Sequence, residues 1–192
     1  DERLNFTNHI EKVRSRILST TFALRRIRPF ITLHTAIQLY FQHIHSIITY
    51  LISCWSATTQ VKIESIAVVQ RKALRYVYER EALFPSKQLF SAKVLPLEKL
   101  ILYQTLVLTF KLINNLHRSN VPIRLRGEVT GRVTRQSDHL FFSTAQSSVG
   151  YNDFFKKGFD AYNKLPSNLK RIRSIDRFKA EIKEYLFALF AA

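Results

Sequence analysis

The sequence predicts a mainly α protein: a helical bundle, then a small helical C-terminal subdomain, with a short β-hairpin between them. Two observations carry this expectation. Only four Gly and five Pro occur in 192 residues, too few turn formers for an all-β sandwich. Long stretches repeat apolar residues at three- and four-residue spacing, the period of a helix. Fifteen Phe and eight Tyr supply the side chains that bury the most area each. The length allows one large domain or two small ones. The pattern sets the bundle at 1–117, a basic linker with the hairpin at 118–149, and a C-terminal helix pair at 150–192.

The first helix is expected from Asn8 to about Arg28. Ile10, Val13, Ile17, Leu18, Leu24 and Ile27 form its apolar stripe. Thr7 or Asn8 serves as cap, Phe6 as a hydrophobic staple, and Pro29 as the stop. Arg14, Arg16, Arg25, Arg26 and Arg28 project off the stripe, with Glu11 the only acid among them. Such a cluster is either a solvated face or a phosphate-binding one.

From Pro29 to Val61 there is no Lys, Arg, Asp or Glu. Leu33, Ile37, Leu39, Tyr40, Phe41, Ile44, Ile47, Ile48, Leu51, Ile52 and Trp55 predict one helix that is apolar on most sides. Gln38, Gln42, His43, His45, Ser46 and Thr49 interrupt it too often for a membrane span, so a central buried helix is expected. His43 and His45, two apart, face different ways and are poorly placed to share a metal.

A third helix is expected from Thr58 to Tyr78. Ile63, Ile66, Val69, Ala73, Tyr76 and Val77 face inward, and Gln70, Arg71, Lys72 and Arg75 line another face. Glu79 to Pro96 is irregular but apolar enough to pack as a loop with short helical turns. A fourth helix follows Pro96 and runs to about Leu116.

Arg118 to Arg135 sets five arginines against Glu128 alone. Arg124, Arg126, Arg132 and Arg135 make it a candidate nucleic-acid contact as well as a linker. Val129, Val133, Leu140 and Phe142 predict the short hairpin. The last part reads as a helix with an aromatic stripe of Phe154, Phe155, Phe159, Tyr162 and Leu165, a stop at Pro166, a short basic link, and a final helix. Ser174 is its cap, and Phe178, Ile182, Tyr185, Leu186 and Leu189 recur at helical spacing. Lys156, Lys157, Lys164, Lys170, Arg171 and Arg173 lie off the aromatic stripe.

The net charge of +16 repels other copies and attracts polyanions, nucleic acid first among them. A single cysteine, Cys54, rules out an internal disulfide and any zinc site built on two or more cysteines. No glycine-rich phosphate loop, G-x-S-x-G or H-E-x-x-H occurs. The five aspartates, at positions 1, 138, 153, 160 and 176, include no pair close enough to hold two metal ions. No catalytic residue, metal ligand or cofactor site is expected in this chain, and alone it is expected to be inactive. It has no methionine and reads as an internal piece of a longer protein.

Six segments in order resemble the region that follows the catalytic palm in reverse transcriptases of non-LTR (LINE, jockey-like) retrotransposons. Asp1 to Ile10 resembles the family's L-D-x-x-L-x-F-x-x-H-I. Leu24-Arg25-Arg26-Ile27-Arg28-Pro29-Phe30 resembles the basic helix end beyond it. Leu39-Tyr40 through Tyr50 to Trp55 is similar to its L-Y…Y-x(4)-W helix, and Val69-Gln70-Arg71-Lys72-Ala73-Leu74-Arg75 to L-Q-x-K-A-L-R. Val94-Leu95-Pro96-Leu97 resembles I-L-P-L. Tyr162-Asn163-Lys164-Leu165-Pro166 resembles W-N-x-L-P, with Tyr162 in place of the usual Trp.

The resemblance spans nearly the whole chain. It implies the thumb and post-thumb C-terminal region of an RNA-directed DNA polymerase, a fragment without the palm aspartates and their Mg. The implied partners are RNA, an RNA/DNA hybrid duplex and the rest of the polymerase chain, not a membrane. The implied setting is a retrotransposon ribonucleoprotein in nucleus and cytoplasm. On this view Arg14, Arg25, Arg26 and Arg28, extended by Arg71, Lys72 and Arg75, grip duplex phosphates. The segment from Arg124 to Arg135, with Lys156, Lys157, Lys170, Arg171 and Arg173, engages RNA. The rival readings are a non-catalytic helical module that binds protein and an inactive remnant of a mobile element.

Overall fold

The structure, a computed structural model, describes residues 6–117, 123–131, 133–134, 137–141 and 154–191. It is mainly α, with one two-stranded antiparallel sheet. The chain divides into two compact units, 1–100 with 190–192, and 101–189.

In the first unit, α1 (Thr7–Ile27) buries Ile10, Val13, Ile17, Thr21 and Leu24. Ile10, Val13, Ile17 and Leu24 belong to the stripe read from the sequence, but Leu18 is only half-buried and Ile27 is exposed, while Thr21 takes a buried place. Neither Thr7 nor Asn8 caps it. Phe6 stands at the N-cap in the left-handed region, φ 55, with no side-chain cap. Thr7 Oγ1 instead accepts a 2.6 Å hydrogen bond from Lys62 Nζ. A 3₁₀ turn, Arg28–Phe30, follows at Pro29.

The uncharged stretch is not one continuous helix. It is α2 (Leu33–Tyr40), a π-helical turn (Phe41–His45), α3 (Ser46–Thr49) and α4 (Ile52–Trp55). Thr32 caps α2, its side chain accepting from Thr35 N at 3.2 Å. Between α3 and α4, Leu51 takes φ 49, a conformation that costs a β- or γ-branched residue about 1 kcal/mol or more. The break is pinned by Trp55, whose Nε1 donates to Tyr50 O at 2.9 Å. It turns Tyr50 and Leu51 outward, and Leu33 also lies exposed. The lack of charge in this stretch therefore does not mean burial on all sides. Tyr40, Ile44, Ile48, Ile52 and Trp55 form its buried edge.

α5 (Gln60–Val77) buries Ile63, Ile66, Val69, Ala73, Leu74 and Val77. Gln70, expected on the polar face, is fully buried. Its Nε2 donates to Leu95 O at 3.0 Å and to Tyr40 Oη at 3.3 Å. This ties the α2 region and the loop after α5 to one helix. These bonds satisfy the amide nitrogen, while its buried Oε1 has no partner among the described residues. Tyr76, expected to face inward, is only half-buried.

α5 ends with Glu79 in the left-handed region, φ 50, and Arg80 N donates back to Arg75 O at 2.8 Å. This is the Schellman closure that glycine usually makes. The loop beyond it contains one 3₁₀ turn, Ser86–Leu89. Its Leu89, Phe90, Val94 and Leu95 are buried, but Leu83 is exposed.

α1 and α5 run parallel. Lys62 near the start of α5 meets Thr7 at the start of α1, and Arg28 Nε donates to Val77 O at 2.9 Å where α5 ends. The α2–α4 segment is the return leg that a parallel pair requires.

α6 (Leu97–Ile113) supplies Leu97 to Leu100 to the first unit and its remainder to the second. It also closes in Schellman fashion, with Asn115 at φ 54 and Leu116 N bonded to Lys111 O at 2.8 Å. In the second unit, β1 (Arg124–Leu125) pairs with β2 (Leu140–Phe141), Arg124 opposite Phe141. A hairpin-like pairing is thus present and includes the expected Leu140, but Val129 and Val133 are not in its strands. Val129 belongs to the short helix α7 (Arg126–Thr130), and Val133 is fully exposed. Phe142 lies outside the described residues.

α8 (Phe154–Asn163) packs against α6 at Gly158. A Cβ there would run into Thr109 Oγ1 and sit 3.3 Å from Thr105 Cγ2. α9 (Ser167–Lys170) occupies the expected basic link as one helical turn, and α10 (Ile175–Ala191) follows. Phe178, Ile182 and Leu186 are buried, and the Phe178 ring stacks on Phe110 at 4.3 Å. Leu189, read as part of the same stripe, is half exposed.

Candidate nucleic-acid interface

The first group of cations lies along the α1–α5 seam. Helical geometry puts Arg14 and Arg25, three turns apart, on the same flank of α1, toward α5. Phe22 lies beside Arg25, with Arg26 farther round; Arg14, Phe22, Arg25 and Arg26 are all exposed. α5 brings its own residues to this flank. The Lys72 ammonium lies 4.8 Å above the Phe22 ring, and the Arg25 guanidinium lies 5.3 Å from the Tyr76 ring centre. Cation–π contacts of this exposed kind contribute about 0.5–1 kcal/mol each. They hold two charges in place without neutralising them, unlike an ion pair.

The other cations expected here are tied into the protein. Arg71 pairs with Glu64, two turns earlier on α5. Arg75 Nη2 donates to Ser86 Oγ at 2.8 Å and to Phe84 O at 3.3 Å, fastening the loop to the helix. Arg28 is the most committed. Its Nε and Nη1 donate to Val77 O and Ile31 O, its Nη2 pairs with Glu79 at 3.1 Å, and its side chain is 11% exposed. It locks the ends of α1 and α5 together.

The second group lies in the second unit. Arg124 and Arg126 are exposed on β1 and at the start of α7. Arg132 and Arg135, like Arg118 and Asp153, lie outside the described residues, as do Asp1 to Asn5. Arg126 N donates to His139 O at 2.8 Å, and Leu125 N donates to Glu128 Oε2 at 3.0 Å.

Asn163 anchors this hairpin. Leu140 N donates to Asn163 Oδ1 at 2.9 Å, and Asn163 Nδ2 donates to Leu140 O at 3.0 Å. The side-chain amide thus pairs with Leu140 as a neighbouring strand's peptide group would. Lys170 Nζ donates to Asn163 O at 2.7 Å, satisfying a carbonyl left open at the end of α8. Tyr162 and Leu165 are buried. Burial raises the Tyr162 phenol pKa, and the nearby Arg173 charge works the other way. Lys156 is half-buried, whereas Lys157, Arg171 and Arg173 are exposed.

Among the described residues no three His, Cys, Asp or Glu side chains are placed to hold a metal ion. No described helix is long and apolar enough to cross a membrane. Compared with protein-family models, curated proteins and solved structures, the chain matches none.

Proposed function

We propose that the chain is a nucleic-acid-binding thumb and post-thumb segment of a retrotransposon RNA-directed DNA polymerase. It grips a template–primer duplex and element RNA through backbone phosphates. What carries the reading is the α1–α5 seam. Arg25, Arg26 and Lys72 stand there around the half-exposed Phe22, with Tyr76 under Arg25 and Arg14 farther back on the same flank. A chain of net charge +16 with such a surface suits contacts to phosphate rather than to base edges. The six ordered sequence resemblances supply the polymerase context. Arg28 and Arg75 support the surface from within and leave contact to their neighbours.

The test is a salt titration of binding to an RNA–DNA hybrid. Log affinity is expected to fall steeply with log salt. Replacing Arg14, Arg25 and Arg26 together with Ala is expected to flatten the slope by roughly one for each phosphate left unneutralised. A slope near zero in the unmodified chain would sink the reading.

A second reading, a helical module that binds protein, is favoured by exposed Ile27, Phe30 and Leu33 at one corner of the bundle. It predicts partner binding that salt leaves unchanged.

A further inference from the structure

An open groove of 890 Å³ lies between α1 and the α3 end of the return leg. Helical geometry puts Lys12 and Arg16 on the opposite flank of α1 from Arg14 and Arg25. The groove is therefore separate from the seam. Glu11, Lys12, Val13, Arg16, Ile47 and Tyr50 are among the residues that line it. We propose that it takes one unpaired nucleotide of a single-stranded nucleic acid, with the base on the Tyr50 ring and phosphates on Lys12 and Arg16. The proposal rests on the nucleic-acid reading but uses none of the seam residues.

Three observations point to that occupant. Tyr50 is 66% exposed, although a phenol ring normally buries most of its apolar area. Its exposure is built in: the left-handed Leu51 ends the helix, and the Trp55 hydrogen bond to Tyr50 O holds the break. Lys12 and Arg16 are exposed and one helical turn apart, about 6 Å between Cβ atoms, on the scale of successive phosphates. The volume falls within the range of small-ligand sites, roughly 300–1,000 Å³. An aromatic face beside paired cations is how proteins hold single strands without reading sequence. A base paired in a duplex has no free face to offer.

The experiment measures binding of a labelled oligouridylate and of a fully paired RNA–DNA hybrid to the full chain at one salt concentration. Tyr50→Ala is expected to weaken oligouridylate binding about tenfold and to leave hybrid binding within about twofold. Tyr50→Phe, which keeps the ring, is expected to bind like the parent. Lys12→Ala with Arg16→Ala is expected to lower the salt slope for oligouridylate by about 1.4. Uridine monophosphate as competitor separates the sources: displacement marks a self-contained nucleotide site, and its absence, with Tyr50 dependence intact, marks a site that needs the strand.

Oligouridylate binding that is absent, or unchanged in Tyr50→Ala, would overturn the proposal. So would equal weakening of the hybrid, or displacement by polyglutamate as effective as by oligouridylate. Thermal melting by circular dichroism is expected to match the parent, since Tyr50 is exposed. Failure of the broader reading appears separately, as loss of salt-dependent hybrid binding in the unmodified chain.

Discussion

The α1–α5 seam and the Asn163 clamp hold their cations by different means. At the seam the charges sit on long helices, at positions that helical spacing sets, and neighbouring rings from the other helix steady them. At the clamp the backbone around Arg124 and Arg126 belongs to a strand two residues long and a helix of five. Elements so short are marginal in isolation. What holds them is the pairing with β2, whose Leu140 is bonded in turn by a side-chain amide 23 residues away. The seam's geometry is therefore local and robust, whereas the hairpin's depends on single contacts. Substitutions in the second unit should act more through structure, and those at the seam more through charge.

The largest expected effect is at Gly158. Gly158→Ala is expected to destabilise the chain by about 2–3 kcal/mol, the scale of overpacking, because the new methyl meets Thr109 Oγ1. Thr109→Ala in the same chain should recover part of that stability, as the next contact is 3.3 Å away. Urea denaturation of the two single variants and the double variant measures the coupling; simple additivity would show that the helices do not meet there.

Gln70→Ala comes next, at about 2 kcal/mol, since it leaves Leu95 O and Tyr40 Oη in the core without their donor. Asn163→Ala removes two hydrogen bonds to Leu140, worth about 1–2 kcal/mol. Hydrogen exchange should accelerate at Leu140 while the amides of α1 and α5 keep their rates. Equal acceleration in both places would erase the contrast between the regions.

The smallest effect is titration. Burial raises the phenol pKa of Tyr40, Tyr78, Tyr103 and Tyr162. The folded chain keeps protons that the unfolded chain releases above about pH 10. Stability from these groups is thus complete below that pH and falls as the pH rises past it. Tyr40→Phe should reduce the fall, as measured by denaturation midpoints across the alkaline range.

The contrast also explains what is legible in the sequence. Most of the stripes of α1 and α5 emerges from periodicity because helix burial follows the 3.6-residue period. The uncharged stretch from Pro29 to Val61 misleads, since absence of charge says nothing about where a helix breaks. The left-handed Leu51 carries no residue signal comparable to glycine. Gln70 is misplaced by periodicity because a buried amide looks like any polar residue until its partners, Tyr40 and Leu95, are known. Arg28 looks like its neighbours Arg25 and Arg26, and only the αL Glu79 beneath it shows that its charge is already used. Tyr50 and Lys12 give no site signal, because the groove joins residues from two helices.

By itself the sequence determined that this is a helical protein with an excess of positive charge, where its long helices lie, and which arginines leave the apolar stripe. Those properties follow from local spacing and from composition, which no fold alters. Only the tertiary structure decided which cations remain available and which are tied into the protein. It also decided where the hairpin is anchored and how Tyr50 comes to stand in the open. The hairpin's anchor and the ties of Arg28 depend on partners far along the chain, and the exposure of Tyr50 on a left-handed leucine that no glycine announces; none of these leaves a period in the sequence.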